Sequence, residues 1–381
     1  MYKIQEIFHS GFQHYGQSFQ PSAQQSKAAD SIMRCKSGKL GVNIRICKDC
    51  EYTETHNNSC RNRHCPCCQG VLKELWLDER RTEVVDAPYF HAVFPMPAEL
   101  RPLIYQNQKL LYDLMHQCVS ATLLELSRNK KYLDATPGLI QILHTWGQKL
   151  NYHPHIHCII TGGGLTKARQ WKHSRSRFFL PLAAMKKLFR GKFLYSLDLY
   201  WNSGKLNLPQ SLGHLDNPRD WKAFCGNLYS KDWCPYIKET FNGFGNALDY
   251  LGKYTHRIAI SNTRIQDLTD SDVTFSARDY KTKQMLAVTI SHQEFVRRFL
   301  MHVLPKGFQK IRYYGFLNNR FKRSNLKLIS KLTARQLYKA KYRDLPIEGL
   351  LLTLYQTDIR ICPCCGGQGM RPSGRTYPMR N

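Results

Sequence analysis

No apolar run in this chain approaches the roughly 20 residues that a helix needs to cross a bilayer, so the sequence excludes a helical membrane span. The first residues, Met1–Glu6, lack the apolar segment of a secretion signal. Internal repeats and low-complexity tracts are also absent, which excludes repeat architectures. These absences predict a soluble intracellular protein with no membrane partner.

Acidic residues are scarce, because 28 Asp and Glu stand against 56 Lys and Arg and leave a formal charge of +28. Such an excess favours a polyanionic partner, since each neutralised phosphate releases counterions. Residues 297–343 contain 14 Lys or Arg and no acid, with aromatic residues between them. Charges that follow a backbone and rings that stack on bases suit single strands, although a solvated amphipathic helix is the alternative. The candidate DNA-binding residues of this segment are Lys306, Arg312, Arg320, Lys322 and Arg323.

Cysteine is not scarce, and seven of the 14 cysteines lie between Cys35 and Cys68. In an intracellular chain, clustered cysteines more often bind metal than form disulfides. Cys47-x2-Cys50 and Cys65-x2-Cys68, with 14 residues between them, have the spacing of two zinc knuckles. The sequence therefore predicts one structural zinc site, in which four thiolates surround the ion and leave no position for substrate.

Other residues near these knuckles have no certain site. The candidates for a second zinc site, which lacks an evident fourth ligand, are Cys35, Cys60 and His64. Cys67 is either a substitute ligand or a bystander, and Arg61 and Arg63 are placed to contact phosphate beside the zinc. The tail carries half a knuckle that either borrows ligands from elsewhere or binds nothing. Its cysteines are Cys362, Cys364 and Cys365.

Histidines alternate in the segment Asn151–Gly164, which reads NYHPHIHCIITGGG. Successive side chains of a strand point to opposite faces, so His155 and His157 project from the same side. Two imidazoles held in this way can share one metal ion, although a chain with 15 histidines also produces such a pair by chance. The preceding run, Leu139–Trp146, predicts an antiparallel neighbouring strand before the turn at Gly147.

The remaining periodicity mixes helices and strands and predicts an α+β protein. Helices are expected over residues 71–85, 103–127 and 245–256, with a helical insertion at 167–215. Strands are expected over 89–94, 257–265, 272–277 and 284–290. Residues 1–70 consist of short polar segments that could hardly fold without a metal. Tyr250 and Tyr254 lie at i and i+4 in the third helix, a spacing that packing tyrosines also show.

In combination these motifs resemble one family, the two-tyrosine HUH transposases of rolling-circle insertion sequences, over nearly the whole chain. The resemblance includes the cysteine pattern that ends in SCRNRHCPCC (59–68), where Cys67 departs from the usual residue. It includes HTWGQ (144–148) followed by HPHIH (153–157). It continues with YLGKYTHRIAISN (250–262), HVLPKGF (302–308) and RYYG (312–315). Separate motifs in family order are hard to produce by chance.

The resemblance implies an HUH nuclease domain with a central antiparallel sheet, ferredoxin-like or RRM-like, flanked by helices and preceded by a small zinc-binding domain. It implies that Tyr250 and Tyr254 are nucleophiles and that His155 and His157 hold a catalytic Mg²⁺ or Mn²⁺. A tyrosine oxygen would attack the scissile phosphate, the 3′-hydroxyl would leave, and the protein would keep the 5′ end as phosphotyrosine. The expected division is a zinc-binding DNA-recognition domain at 1–85, the nuclease domain at 86–330 and a basic tail at 331–381.

Two histidines rarely complete such a site, so a third ligand is expected from the neighbouring strand. Gln148, across the expected hairpin from His155, is the first choice, and His144 and His153 are rivals. Lys253, between the two tyrosines, is a candidate to position phosphate.

The first hypothesis is therefore a transposase that nicks and rejoins single-stranded DNA in the cytoplasm, at the bacterial nucleoid. Its partners would be single-stranded element ends and target DNA. A plasmid relaxase or a rolling-circle replication initiator would use the same chemistry, but the zinc domain and the region around Lys306 favour the transposase. A non-catalytic, zinc-dependent DNA-binding regulator is a third hypothesis, which leaves the paired histidines and tyrosines without a role.

Overall fold

The computed structural model describes residues 3–174, 180–241, 252, 259–279 and 282–376 of the 381-residue chain. The first helices are α1 (Ile4–Ser18) and α2 (Ala23–Arg34). α1 buries Ile4, Ile7 and Phe8 on one face, and a capping box at Ser22 starts α2. The prediction that residues 1–70 form only short polar segments is wrong, because the few apolar residues of α1 recur at helical spacing.

A hairpin and a third helix follow. They are β1 (Val42–Cys47), β2 (Thr53–Asn57) and α3 (Gly70–Arg81). α3 confirms the helix expected over 71–85, and it ends four residues earlier than expected.

The central part of the chain combines strands with long helices. Its elements are β3 (Tyr89–Pro95), α4 (Arg101–Gln106), α5 (Gln108–Arg128), β4 (Thr136–Trp146), β5 (Tyr152–Leu165), β6 (Trp171–His173), α6 (Leu182–Asn202), α7 (Pro218–Ser230) and β7 (Tyr236–Phe241). The helix expected over 103–127 is interrupted at Asn107, whose side-chain amide donates to the carbonyls of Leu103 and Asn207. The insertion at 167–215 is helical where it contains α6.

The last third of the chain forms a second group of elements. They are β8 (Ile265–Leu268), β9 (Asp272–Arg278), β10 (Met285–Ser291), α8 (His292–Leu300), β11 (Ile311–Gly315), α9 (Lys322–Leu332), α10 (Ile347–Tyr355) and β12 (Met370–Arg375). The strands expected at 272–277 and 284–290 are confirmed. The described part of the strand expected at 257–265 contains a 3-10 turn, Asn262–Arg264, and only then enters β8. The helix expected at 245–256 lies outside the described residues except for position 252.

Five antiparallel strands form the core of the central sheet in the order β11-β4-β5-β3-β7, and β6 pairs with β5. The hairpin of β4 and β5 confirms the expected pairing, with Ile142 opposite His157 and His144 opposite His155. The protein thus has a mixed helix and strand fold with antiparallel sheets, as expected.

The two faces of this sheet have different covers. Phe90, Ile156 and Ile160 belong to the largest apolar core, which α5 and α6 complete. Ile142 and Ile159 point to the opposite face, where they pack with residues of α9. Side chains alternate along a strand, so the second face also carries His144, His155 and His157, beyond the end of the apolar cluster.

The N-terminal helices complete their core with residues from the other end of the chain. α1 lies along α8, where the rings of Phe8 and Phe299 meet edge to face at 5.1 Å between centroids. The helices are so close at Gly11 that a Cβ there would lie 2.7 Å from the backbone of His292. Val273 of β9 fills the same core. The core of this segment is therefore not confined to residues 1–85.

β12, near the end of the described chain, pairs with β1 in a three-stranded sheet of order β12-β1-β2. None of the helices in the described ranges is both long enough and apolar enough to span a membrane.

Candidate active site and cysteine clusters

Three imidazoles converge at one end of the central sheet. His155 and His157 project from β5, and His144 projects from β4 opposite His155. Their ligand atoms lie within 4.8 Å of one another, and the Nε2 atoms of His155 and His157 are 3.1 Å apart. Backbone hydrogen bonds between the two strands fix these positions, so the geometry does not depend on long flexible loops.

Hydrogen bonds to the other ring nitrogens orient this pair. His155 Nδ1 lies 2.6 Å from the carbonyl oxygen of His153, and since a carbonyl only accepts, Nδ1 carries the proton. His157 Nδ1 lies 2.8 Å from Nε2 of His91 on β3. When His157 Nδ1 donates in that bond, both ligand histidines turn the lone pair of Nε2 towards the centre.

Burial keeps the imidazoles neutral. It lowers the pKa of His155 to about 3, and the nearby His153 adds to the effect. Burial, together with the neighbouring His144, also holds the pKa of His157 well below its usual range. Neutral imidazole is the form that binds metal. Three nitrogen ligands fit a divalent transition ion such as Mn²⁺ better than Mg²⁺, which prefers oxygen.

The geometry favours His144 over Gln148 as the third ligand. Gln148 follows the end of β4 and lines the same cavity, but its position depends on a turn and on the register shift after His144. His153 also lines the cavity, where its Nδ1 lies 3.0 Å from the guanidinium of Arg101. The preference for Gln148 therefore stays a prediction that the converging imidazoles do not support.

A cavity of about 370 Å³ opens over the histidines, and two of its lining residues have no signal in the sequence. Tyr236 enters it through the pairing of β7 with β3. Arg264 enters it from the turn before β8, and its guanidinium donates to the carbonyls of Gln148 and Ser276. A guanidinium beside three histidines that could hold a metal ion is well placed to bind a phosphate group.

A second cavity, of about 380 Å³, shares Trp146 with the first. The indole of Trp146 stacks on His144 at 4.5 Å between centroids, and Trp76 of α3 lines another wall. Lys310 Nζ lies 5.0 Å from the centre of the Trp146 ring. Burial, with the charge of Arg63, lowers the pKa of Lys310 to about 7. Indole walls and a lysine suit a nucleotide, yet among so many basic residues the sequence does not single out Lys310.

The predicted nucleophiles Tyr250 and Tyr254, and Lys253 between them, lie outside the described residues. Gly252 is described and buried, and a Cβ on it would lie 2.7 Å from Leu77 of α3. This contact places position 252 against the helix that also supplies Trp76 to the second cavity.

Eight of the 14 cysteines form two groups of four, and neither group is the predicted set. The members of the first cysteine cluster are Cys35, Cys60, Cys65 and Cys68, whose sulfurs lie within 4.8 Å of one another. The sulfurs of Cys60 and Cys68 are 3.7 Å apart. Backbone N–H groups of Asn62 and Cys67 donate to the sulfurs of Cys60 and Cys65 at 3.4 Å, an arrangement that stabilises thiolates. Cys67 is not a member of this cluster.

The members of the second cysteine cluster are Cys47, Cys50, Cys362 and Cys365. The predicted site of Cys47, Cys50, Cys65 and Cys68 is therefore wrong, because the two knuckles belong to different clusters. The pairing of β1 with β12 brings the tail knuckle to Cys47, and the end of α2 brings Cys35 to the other knuckle. The half-knuckle of the tail thus borrows partners from the N-terminal region.

His64 was a candidate ligand together with Cys35 and Cys60, and the structure places it elsewhere. Its Nε2 accepts a hydrogen bond from the backbone N–H of Leu304 at 3.4 Å, and its ring lines the second cavity. Cys65 and Cys68 join Cys35 and Cys60, in place of His64 and of the fourth ligand that the predicted second site lacked.

The predicted DNA-binding residues divide into two groups. Arg61, Lys306, Arg320 and Arg323 are exposed, and so is Arg63, although its guanidinium forms hydrogen bonds within the protein. Arg63 donates to the carbonyls of Phe308 and Pro305 and so ties the first cluster to the loop before β11. Lys322 pairs with the buried carboxylate of Glu83.

Arg312, another predicted DNA contact, lies away from the histidines. It pairs with Asp113 of α5 and lies opposite Gln141, on the sheet face that turns away from the histidines. Alternation along β11 is the physical reason, because Arg312 and Tyr313 must point to opposite faces.

Two family profiles match the chain. One, described as "Putative transposase", matches residues 138–325, and the other, "Transposase zinc-binding domain", matches residues 7–96. The chain is 36% identical over 372 residues to "Putative transposase y4qJ" of Sinorhizobium fredii, which covers 93% of this chain and 91% of that protein. It is 28% identical over 296 residues to the "Transposase for insertion sequence element IS801" of Pseudomonas savastanoi pv. phaseolicola, which covers 76% of this chain and 69% of that protein. No solved structure matches the chain.

The transposase profile spans the strands that carry the three histidines, and the zinc-binding profile spans every member of the first cysteine cluster. The first of the two relatives aligns over nearly the full length of both proteins. The chain therefore belongs to the IS91/IS801-type family of transposases.

Proposed function

We propose that this transposase nicks and rejoins single-stranded DNA through 5′-phosphotyrosine intermediates, in a rolling-circle-like transposition of its insertion sequence. The observation that carries the proposal is the centre of His144, His155 and His157, whose imidazoles converge beside Arg264. A centre of this size would hold one ion, which could stabilise the charge on the scissile phosphate. In this proposal a protein side chain supplies the nucleophile.

The residues of the centre have separable roles in this proposal. A Mn²⁺ or Mg²⁺ ion held by the three imidazoles would stabilise the charge that develops on the phosphate oxygens. His91 and the carbonyl of His153 orient the rings of His157 and His155, respectively. Arg264 attracts the scissile phosphate. The cavity between Trp76 and Trp146 receives a neighbouring nucleotide, whose phosphate stabilises the ammonium of Lys310.

Tyr250 and Tyr254 are the proposed nucleophiles. The phenol oxygen bonds to phosphorus while the bond to the 3′ oxygen breaks, so the phenol loses a proton and the 3′ oxygen gains one. The new ester keeps the energy of the old one, and a later 3′-hydroxyl can reverse the step and join strands without ATP. Two tyrosines can hold two 5′ ends in turn. Gly252, which lies between them in the sequence, contacts Leu77 of α3.

The zinc-binding domain supports DNA recognition in this proposal, with one structural zinc ion in the first cysteine cluster. Arg61, exposed and adjacent to Cys60, contacts phosphate there, and Lys306, Arg320 and Arg323 extend the basic surface. Lys253 positions phosphate beside the tyrosines. The protein would work on single-stranded element ends and target DNA in the cytoplasm, at the nucleoid.

The direct test incubates the protein with labelled single-stranded DNA from an element end, with Mn²⁺, with Mg²⁺ and without divalent ions. We expect a covalent adduct that needs the ion, disappears in the double variant Tyr250→Phe, Tyr254→Phe, and falls at least about a thousandfold in His155→Ala, His157→Ala. The matched control changes two exposed tyrosines, Tyr195→Phe and Tyr229→Phe, and keeps the adduct. An adduct that survives loss of Tyr250 and Tyr254 contradicts the proposed nucleophiles.

Membership of the transposase family makes a relaxase or replication initiator with the same chemistry the weaker proposal. A non-catalytic regulator is distinguished by the same experiment, because it would bind the labelled strand and form no adduct under any ion. Binding without cleavage, by protein that retains its zinc, would overturn the proposed chemistry.

A further inference from the structure

The second cysteine cluster has the dimensions of a metal site. The sulfurs of Cys47 and Cys365 are 3.7 Å apart, and those of Cys50 and Cys362 are 3.6 Å apart. Four thiolates at about 2.3 Å around a tetrahedral zinc ion are separated by about 3.8 Å. A disulfide would require about 2.05 Å between sulfurs. The observed spacing therefore fits four ligands around one ion and does not fit two covalent bridges.

The backbone around these cysteines has the features of a zinc knuckle. The N–H of Cys364 donates to the sulfur of Cys362 at 3.4 Å, as the N–H of Cys67 does to Cys65 in the first cluster. Gly366 has a φ of +73° and donates to the carbonyl of Cys362, which closes the turn. Such N–H donors stabilise thiolate ligands and fix their direction.

The apolar core around the cluster is too small to hold the tail by itself. It consists of Cys47, Cys362 and Met370. Polar contacts nearby include the β1–β12 pairing and the buried Arg45, whose guanidinium donates to the carbonyls of Ile359 and Met370. Small units with so little apolar burial usually need a metal or a disulfide.

We infer that Cys47, Cys50, Cys362 and Cys365 bind a second structural zinc ion, which fastens the C-terminal tail to the N-terminal zinc-binding domain. The zinc-binding profile, at 7–96, contains only half of these ligands, and the transposase profile, at 138–325, contains none. The site is thus assembled from two knuckles that are far apart in the chain. The neighbouring sulfurs of Cys50 and Cys362, for example, belong to residues 312 positions apart.

The tail reaches this site along α3. The carboxylate of Asp78, which is buried, accepts from the hydroxyl of Tyr338 at 2.7 Å and from the backbone N–H groups of Lys341 and Tyr342 at 2.6 and 2.8 Å. Arg343 forms two hydrogen bonds with Glu79 on the same helix. The second zinc would therefore anchor a tail segment that runs over α3, the helix whose Trp76 lines the second cavity.

Metal content of the purified, reduced full-length protein tests the inference. We expect the double variant Cys362→Ser, Cys365→Ser to contain one zinc ion per chain fewer than the wild type, measured by plasma mass spectrometry and by native mass spectrometry. The matched control is Cys364→Ser, which changes an exposed cysteine of the same motif and should lose none. Any ion that the histidine centre retains is present in all three proteins and does not affect the difference. Equal zinc content in the double variant and the wild type overturns the inference.

A measurement on the wild type covers the case in which the double variant fails to fold. With a thiol-alkylating reagent and mass-spectrometric readout, Cys364 should react at once, while Cys362 and Cys365 should react only after a zinc chelator is added. Rapid alkylation of all three tail cysteines without chelator contradicts the site. Release of Cys362 and Cys365 by reductant in place of chelator contradicts it as well, because that result identifies disulfides.

Discussion

The histidine centre and the cysteine clusters hold their ligands by different means. The three imidazoles stand on two paired strands, where backbone hydrogen bonds and the bond from His157 to His91 set their directions. The cysteines lie on turns and at the ends of helices and strands, and Cys47 meets Cys365 across 318 positions of sequence. The first arrangement is rigid without an ion, whereas the second gains much of its order from one. An ion at the proposed catalytic centre would then exchange freely, while zinc ions in the cysteine clusters would not leave without loss of local structure.

The largest expected effect separates the two kinds of site by stability. In the double variant Cys35→Ser, Cys65→Ser, two fully buried ligands of the first cluster are lost, and Cys35 also belongs to the core of α1 and α2. We expect a loss of at least about 5 kcal/mol in the free energy of unfolding, seen as a lower melting temperature or as insoluble protein.

The paired control is His155→Ala, His157→Ala, which should leave zinc content unchanged and shift the melting temperature by only a few degrees. A histidine variant as unstable as the cysteine variant would contradict the proposed division of roles.

An intermediate effect concerns the third ligand of the histidine centre. His144→Ala should raise the Mn²⁺ concentration that supports half-maximal adduct formation by about tenfold or more, because a nitrogen ligand is removed from a strand. Gln148→Ala, in the same cavity, should change that concentration by less than about threefold. The measurement is the Mn²⁺ dependence of the adduct rate, and the reverse order of the two variants would restore Gln148 as the ligand.

The smallest expected effect compares two arginines that the sequence does not distinguish. Arg323→Ala, on the exposed surface, should weaken binding of single-stranded DNA about twofold and reduce the slope of log K against log salt by about 0.7. Arg312→Ala should leave both quantities unchanged, since its partner is Asp113 on the other sheet face. Fluorescence anisotropy at about 50 to 200 mM salt separates the two outcomes. A salt slope that changes in Arg312→Ala would contradict the position of Arg312 on the sheet face away from the DNA.

The part of the site that could be predicted from sequence depends only on the pattern within one strand and its neighbour. Alternation along β5 is enough to place His155 and His157 on one face, and the run before Gly147 is enough to predict the neighbouring strand. The choice between His144 and Gln148 needs the hairpin register and its shift, which depend on how the turn closes.

The cysteine sites could not be predicted in the same way. Both CxxC knuckles of the N-terminal region have identical spacing, so their partners are decided by contacts over long stretches of chain. Sequence distance favours Cys47 with Cys65, whereas the β1–β12 pairing gives Cys47 to the tail. Tyr236 and Arg264 were not predicted for a related reason, because their places follow from pairing of distant strands and from a turn.

The packing of α1 against α8 has a consequence for how the protein is made. The apolar face of Ile4, Ile7 and Phe8 finds its partners in Phe295 and Phe299, nearly 300 residues later. At bacterial or eukaryotic rates of synthesis, roughly 5 to 20 residues per second, that face waits about 15 to 60 seconds after it leaves the ribosome. A truncated product that ends before α8 would keep it exposed, and would be a substrate for chaperones and proteases before it could bind DNA. Assembly of a DNA-cutting protein is in this way tied to completion of its own translation.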